Sequence, residues 1–577
     1  MKKILFIVAI LIGLLTQYSC EDFLDAENKS KVDSDIYFTT EAGFETLVNF
    51  AYAKLKPLYG GTIAMFSSGT DLYNAGRGDM PDVGLHNYKD LVSTNSTVET
   101  FYTDCYIGIQ ATNCVLYYAD KVIGDEDLVE LRKAEARFLR AYFYYELVQH
   151  FGGVPIVKDY VNQILVDLPR ASKEDVFNFI IDEWEDILNN SSLPDKDLQG
   201  RVNKQAINHF LAKAYLTAGW DLDNPAYFTT AAIYAEAAIA MGTGLDETFE
   251  QLWWPSKDNT HQEVLFAIQY DRASSIAAGI VEEDNGNNQQ FWYGQYLGGA
   301  DQGYKYTSST ALPSLRLMML FQPGDSRYKA SFMEELYCSN ISDRLLTGKY
   351  YAPYITGGTA GLFVAFYYPP WYASDPADIA VWRAEDPAAR TQTIVIPMKD
   401  PTIHPDELPC TYYEACTVGN APFGITNVTK FDDPESTFGA NKCYRDIVLA
   451  RLGETYLVAA EAWLKAGGNQ TKVDQYVNVV RERAFRGSGL APADYQIMGA
   501  DIDDILEERA LELAFEKFRW TDLRRTQKLV EYNVLYNPEF GEEADFTGPD
   551  GKQKLYRPIP QAALNLNTAG NAQNDGY

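Results

Sequence analysis

The chain has 577 residues, 46% of them hydrophobic and 22% charged, the balance of a soluble globular protein with a sizeable core. Its net charge of -31 repels polyanions, which excludes a nucleic-acid partner and rules out anionic lipid headgroups as the means of membrane attachment. Aromatic residues reach 14%, with 40 Tyr and 9 Trp, a surplus that needs either a core or a binding surface.

At the N-terminus, Lys2 and Lys3 precede an apolar run from Ile4 to Leu15 that is short for a bilayer span, and Cys20 follows. The arrangement resembles the lipobox of bacterial lipoproteins, in which the cysteine is acylated and becomes the new N-terminus. Gln17 and Tyr18 stand where the commonest pattern has Leu and a small residue. The alternative is a plain secretory signal, with Cys20 an ordinary thiol. Residues 1–19 are read as a lipoprotein signal peptide and 20–40 as a lipid-anchored tether, in which Glu21 and Asp22 resemble a surface-export signal. Acyl chains contribute about 0.8 kcal/mol per buried methylene, so two or three of them outweigh the repulsion of an acidic body. The remaining cysteines, Cys105, Cys114, Cys338, Cys410, Cys416 and Cys443, show no CxxC or Cys/His spacing and leave their pairing open.

Residues 41–279 read as helical. Thr40 is placed as an N-cap for Ala42–Lys56, with Phe44, Leu47, Val48, Ala51 and Leu55 on one face. A Gly/Asp/Asn-rich loop over 67–95 separates this helix from Thr97–Val122. Asp127–Phe151 follows, closed by Gly152-Gly153 and Pro155. Ser172 to Asp175 resembles a capping box opening a helix to Asn189. Asn203–Ala218 and Ala226–Met241 form the next pair, with alanines at the packing positions, the pattern of a degenerate tetratricopeptide-type array.

Residues 280–440 are rich in Gly, Pro, Asp, Tyr and Trp, and no long helical period extends past Leu312–Phe321. Val264–Ile268 and Thr393–Pro397 are short strand candidates. Helices resume in 441–577, at Arg445–Lys465, Val473–Phe485 and Asp503–Lys528. The predicted fold is mostly α: a helical-hairpin array packed against a loop-rich, irregular part with a few short strands.

Several segments resemble the SusD/RagB family of nutrient-binding outer-membrane lipoproteins. They are Glu135–Tyr142 running on to Phe151-Gly152-Gly153-Val154-Pro155; Gly200-Arg201-Val202-Asn203; Arg451-Leu452-Gly453-Glu454-Thr455-Tyr456-Leu457; Ile505–Glu516 with Arg519–Arg525; and Pro558-Ile559-Pro560 followed by Gln573-Asn574-Asp575-Gly576-Tyr577. The family commonly has Pro where Asp575 stands. The resemblance spans nearly the whole mature chain in the family's order. It implies four tetratricopeptide-type helix pairs, capture of a glycan at the cell surface, and delivery to a SusC-like TonB-dependent outer-membrane barrel.

Motifs for chemistry are missing. The histidines His86, His150, His209, His261 and His404 form no metal-ligand pattern, and no nucleophile elbow or phosphate-binding loop is present. Glu508, Glu512 and Glu516 share one helix stripe crowded by Arg509, Arg519, Arg524 and Arg525, which reads as a buried ion lattice rather than a glycosidase pair. No catalytic residue and no cofactor is expected; a structural calcium in the Asp-rich turns would be the exception.

Sugars are held by stacking on Trp or Tyr and by hydrogen bonds to Asn, Asp or Arg, most readily on loops carried by a rigid scaffold. Two loops have that composition: Asp71, Tyr73, Asn74, Arg77 and Asp79 in the first, and Asn287, Asn288, Gln290, Trp292, Tyr293 and Tyr296 in the second. Trp371, Tyr372 and Trp382 form a third candidate. The ordinary alternative for any one of these rings is a place in the core. Peptide cargo on the same architecture, a glycoside-processing enzyme, and a surface protein without a small ligand are the competing functions.

Overall fold

The computed structural model describes residues 34–75, 82–198, 200–254, 261–273, 286–293, 310–343, 359–397, 417–418, 421–422, 426–433, 442–537 and 542–577. The signal segment, Cys20, most of the tether, Arg77, Asp79, Tyr296, Cys410 and Cys416 lie outside the described residues.

Eight helices form the frame: α1 Glu41–Ala53, α2 Ser96–Ala119, α3 Glu126–Phe151, α4 Lys173–Asn190, α5 Lys204–Asp221, α6 Pro225–Ala240, α7 Leu452–Lys465 and α8 Gln470–Ala484. Each packs on the next, giving four antiparallel-type hairpin units in a tetratricopeptide-like array. Their starts are chemically marked. The Thr40 hydroxyl accepts from the Gly43 amide, Asn95 from Val98 and Asn203 from Ala206, and Ser172 with Asp175 closes the expected capping box. At the end of α3, Gly152 sits at φ +73°, where any other residue would be strained. Small residues set the spacing between α5, α6 and α7: Ala212, Ala231, Ala235, Ala459 and Ala462 share one buried cluster with Phe228 and Val458.

Nine short strands accompany the frame among the described residues. β1 Tyr73–Ala75 pairs with β3 Ala311–Pro313, β2 Val264–Ile268 with β9 Ile447–Arg451, and β4 Glu335–Cys338 with β5 Phe363–Tyr367, which also holds β6 Ile394–Val395. β7 Thr417–Val418 pairs with β8 Ala421–Pro422. The expected helix over Arg445–Lys465 therefore begins as a strand. Ile447–Arg451 is apolar enough to serve either period, and pairing with β2 decides it. A ten-residue helix at Pro376–Glu385, opened by its proline, lies in the part expected to lack long helices.

Asp503–Lys528 is likewise not one helix. α9 Ile502–Glu512 stops, Phe515 and Lys517 adopt φ of +72° and +67°, and α10 Arg519–Arg525 restarts. The freed backbone groups go to side chains: the Lys430 ammonium donates to the Ala514 carbonyl at 2.8 Å, and the Phe515 amide donates to the Tyr73 hydroxyl at 2.6 Å.

The break redirects the ion lattice. Glu508 accepts from Arg327 at 2.6 Å and Arg481 at 2.8 Å; Glu512 pairs with Arg451 at 2.5 Å and with Arg483; Glu516 pairs with Arg451 at 2.7 Å and Lys430 at 2.6 Å. The arginines expected to neutralise this stripe serve other acids. Arg509 holds Asp522, Arg519 holds Asp71, Arg524 holds Asp221 and Arg525 holds Glu461. Arg327 belongs to the loop-rich part, so its two bonds clamp that part onto the helices.

Candidate functional site

The loop-rich part is seated on the helices through β1 and β3, whose register sets Tyr73 opposite Pro313 and Asn74 opposite Leu312. Just before β1, both oxygens of fully buried Asp71 accept from Arg519, at 2.7 and 2.6 Å. The Tyr73 ring packs against Tyr293 and Phe515 at centroid distances of 5.6 and 5.7 Å. The Tyr293 hydroxyl shares a 3.1 Å hydrogen bond with Ser67, and buried Trp292 sits 5.3 Å from the Lys517 ammonium. Burial drives the Tyr73 and Tyr293 hydroxyls above the ordinary tyrosine range and lowers Lys517 to about 7.

The expectation that Asp71, Tyr73, Trp292 and Tyr293 touch ligand is corrected. They are core residues, spent on joining the loops to α9 and α10. Asn74 and Asn288 stay partly exposed at the rim. Asn288 accepts from Lys442 at 2.6 Å, and the side-chain oxygen of Asn74 has no hydrogen-bond partner. Asn287 and Gln290 are buried as well, Asn287 donating to the Arg445 carbonyl and Gln290 accepting from the Asp433 amide, both at 2.8 Å; Arg77, Asp79 and Tyr296 are among the residues not described.

Trp371 and Tyr372 occupy a 3₁₀ turn, Trp371–Ala373, that follows Pro370. Both rings are partly exposed. The Trp371 indole donates to the Phe321 carbonyl at 2.8 Å, which anchors its polar edge, and Tyr372 meets Tyr328 edge-on at 6.4 Å. Trp382 does not join them. It stacks on Tyr367 at 3.9 Å with only 4° between the planes, carries the Arg390 guanidinium 4.6 Å from its centre, and donates to Glu335 at 2.8 Å. Tyr328, Glu334 and Tyr367, which surround this turn, were not expected in it. The alternation Glu335-Leu336-Tyr337-Cys338 is the signal that marks β4 and would have drawn attention to them.

The turn thus offers two partly exposed rings beside an acidic side chain on a supported sheet, a surface suited to stacking an apolar ring face and accepting hydrogen bonds from hydroxyls. Among the described residues no group of three or more His, Cys, Asp or Glu is placed to hold a metal ion.

Comparison with known proteins fits this architecture. A family model described as starch-binding associating with outer membrane matches residues 22–216, and the SusD family model matches residues 411–577. The chain belongs to the SusD/RagB family. Among SusD-like relatives, the SusD-like protein P2 of Formosa agariphila is 25% identical across 100% of this chain and 99% of its own length. The starch-binding protein SusD of Bacteroides thetaiotaomicron is 24% identical over 80% of this chain and 76% of its own. A solved laminarin-binding SusD-like protein superposes with a TM-score of 0.61, at 20% identity, over 93% of this chain and all of its own. The SusD fold is therefore shared at low identity, and the loops that carry ligand contacts are where such chains are freest to differ.

Proposed function

We propose that this protein is a cell-surface lipoprotein that captures an oligo- or polysaccharide and delivers it to a SusC-like TonB-dependent outer-membrane transporter, performing no chemistry on the cargo. The observation that carries the reading is the end-to-end match to SusD-like proteins, two of them named for starch and laminarin binding. The Trp371–Tyr372 turn supports it, because it presents rings on a rigid frame. So does the state of the glutamate stripe: Glu508 and Glu512 are consumed by buried arginines and are not opposed across an open cleft. The outer-membrane association in the family description agrees with acylation at Cys20.

Titration of the mature chain against starch, laminarin and peptide panels tests the cargo. Saturable binding to one glycan class, without product formation, is expected; binding confined to peptides would overturn the glycan reading. Membrane fractionation of Cys20→Ala, and co-purification of a large barrel with the tagged wild type, test the anchor and the partner.

A further inference from the structure

Glu334 is set one residue before β4, and its backbone continues the ladder, the Tyr368 amide donating to the Glu334 carbonyl at 2.8 Å. Its partly buried carboxyl makes no hydrogen bond and no ion pair with any described residue. The neighbouring Glu335 is fully engaged, with Trp382, Arg390 and Tyr337. Carboxylates removed from water are normally paired, and these two adjacent residues differ in that respect. The Glu334 charge acts on the hydroxyls of Tyr328, Tyr367 and Tyr372, and the Tyr328 and Tyr372 rings meet edge-on at 6.4 Å. Tyr328 is only 1% exposed and its hydroxyl also lacks a partner. Trp371 meets Tyr372 edge-on at 5.8 Å, on the rim of the same group.

One acid beside the partly exposed Tyr372 and Trp371, with no protein cation bound to it, is the complement of an ammonium group: exposed aromatic rings attract a cation and the carboxylate supplies its counter-charge. The net charge of -31 adds a long-range pull in the same direction. We propose that Glu334, with Tyr328, Tyr367 and Tyr372, forms a subsite for a protonated amine, that of an amino sugar carried by the glycan cargo. This rests on the glycan reading above and narrows it, since a uronic or sulfated residue would meet an unpaired acid here.

The other charges facing this acid are few. Lys329 lies close enough to favour the carboxylate but is exposed and forms no ion pair with it; Glu335 opposes ionisation; Asp325 faces Tyr372, while Arg390 and Glu385 face Tyr367. Burial dominates and raises Glu334 to about 7. Proton and ammonium then compete for one group near neutrality. A ligand of fixed positive charge binds more tightly as pH rises through about 7 and less tightly below it.

The test is calorimetric titration of the mature chain with a β-1,4-linked glucosamine oligomer whose amines are trimethylated, and so charged at every pH, against the fully N-acetylated oligomer. The charged oligomer is expected to bind at least about threefold more tightly at pH 8, with the preference fading toward pH 6 and absent in Glu334→Gln. Equal affinity for the two oligomers, or a preference that survives in Glu334→Gln, overturns the proposal. Binding of neutral glycans without any preference for the charged oligomer also overturns it and leaves the glycan reading intact. If instead no saccharide binds and a lysine-containing peptide does, in a Glu334-dependent manner, the amine subsite stands and the glycan reading falls. Thermal unfolding of Glu334→Gln separates loss of binding from loss of fold, and no decrease in stability is expected.

Discussion

Arg519 grips Asp71 through two parallel hydrogen bonds of 2.7 and 2.6 Å across 448 residues of sequence, and both side chains are buried. The pair closes the molecule: it ties the segment that leads into β1 to the helix that restarts after the Phe515–Lys517 break. Burial is outweighed at Arg519 by the Asp71 charge, so its guanidinium is held above its ordinary range. Asp71→Ala leaves the Arg519 guanidinium buried without its carboxylate, with only the Leu506 carbonyl still accepting from it, and is expected to cost about 3–5 kcal/mol. The check is the denaturant midpoint. A change within experimental error would show that water enters and solvates Arg519.

Trp292 and Trp371, alike as ligand-contact candidates in the sequence, are expected to behave oppositely. Trp292 is buried beside Tyr293, Tyr73 and Phe515, and Trp292→Ala is expected to destabilise by about 3–5 kcal/mol. Trp371 is partly exposed with one anchoring hydrogen bond, so Trp371→Ala should cost about 1 kcal/mol while weakening glycan affinity several-fold. Paired melting curves and titrations would decide. If Trp292→Ala melts like wild type and loses ligand, the burial argument is wrong.

These residues show what a sequence can and cannot carry. The helices of the frame were legible because each writes its own 3.6-residue period and its own cap, and α3 or α4 needs no distant partner to be recognised. Trp292 and Asp71 were not legible. Their burial is decided by Lys517, Arg519 and Ser67, residues far away in the chain, and local composition looks the same for a binding loop and a seated one. The break after Glu512 was hidden for a related reason. The apolar period runs through it, and what ends the helix is a set of side-chain bonds from Lys430 and Tyr73.

Glu146 and His150 stand one turn apart in α3, and their titrations push stability in opposite directions as pH changes. Burial raises Glu146 to about 7, with Tyr59, Lys213 and Tyr142 opposing. Burial lowers His150 to about 3, with Arg557 and Arg524 adding to it and the Glu146 carbonyl opposing. An acid with a raised folded value loses stability as pH climbs from about 4.5 to about 7, because the folded state holds the extra proton. A histidine with a depressed folded value gains stability as pH climbs from about 3 to about 6.5, because the unfolded state holds it. Between about pH 4.5 and 6.5 the two slopes cancel. Glu146→Gln removes one of them, so the variant's stability relative to wild type should rise across that interval by on the order of 2–3 kcal/mol. Chemical denaturation at several pH values measures it, and parallel curves for the two proteins would show that the Glu146 carboxyl is not raised by burial.

Gly453, in the Arg451-Leu452-Gly453-Glu454 segment, has an ordinary backbone, so the reason for glycine must be space. A methyl group built on it collides with the Arg451 guanidinium, lies 2.6 Å from the Glu512 carboxylate and 3.1 Å from that of Glu263. The ion lattice therefore closes over the bare face of α7, and Gly453→Ala must push its members apart. Overpacking of this kind costs about 1–3 kcal/mol, and here it also lengthens ion pairs. Burial would raise the Glu512 carboxyl, but Arg483, Arg451 and Arg327 overcome it and hold Glu512 at about 2. A depressed folded value means stability that is present above about 4.5 and lost as pH falls toward 2. Loosening the arginines lets that value climb, so Gly453→Ala should both lower the melting temperature at neutral pH and move the acid-unfolding midpoint upward. If the melting temperature falls while the acid midpoint stays put, the substitution has strained the backbone without touching the lattice.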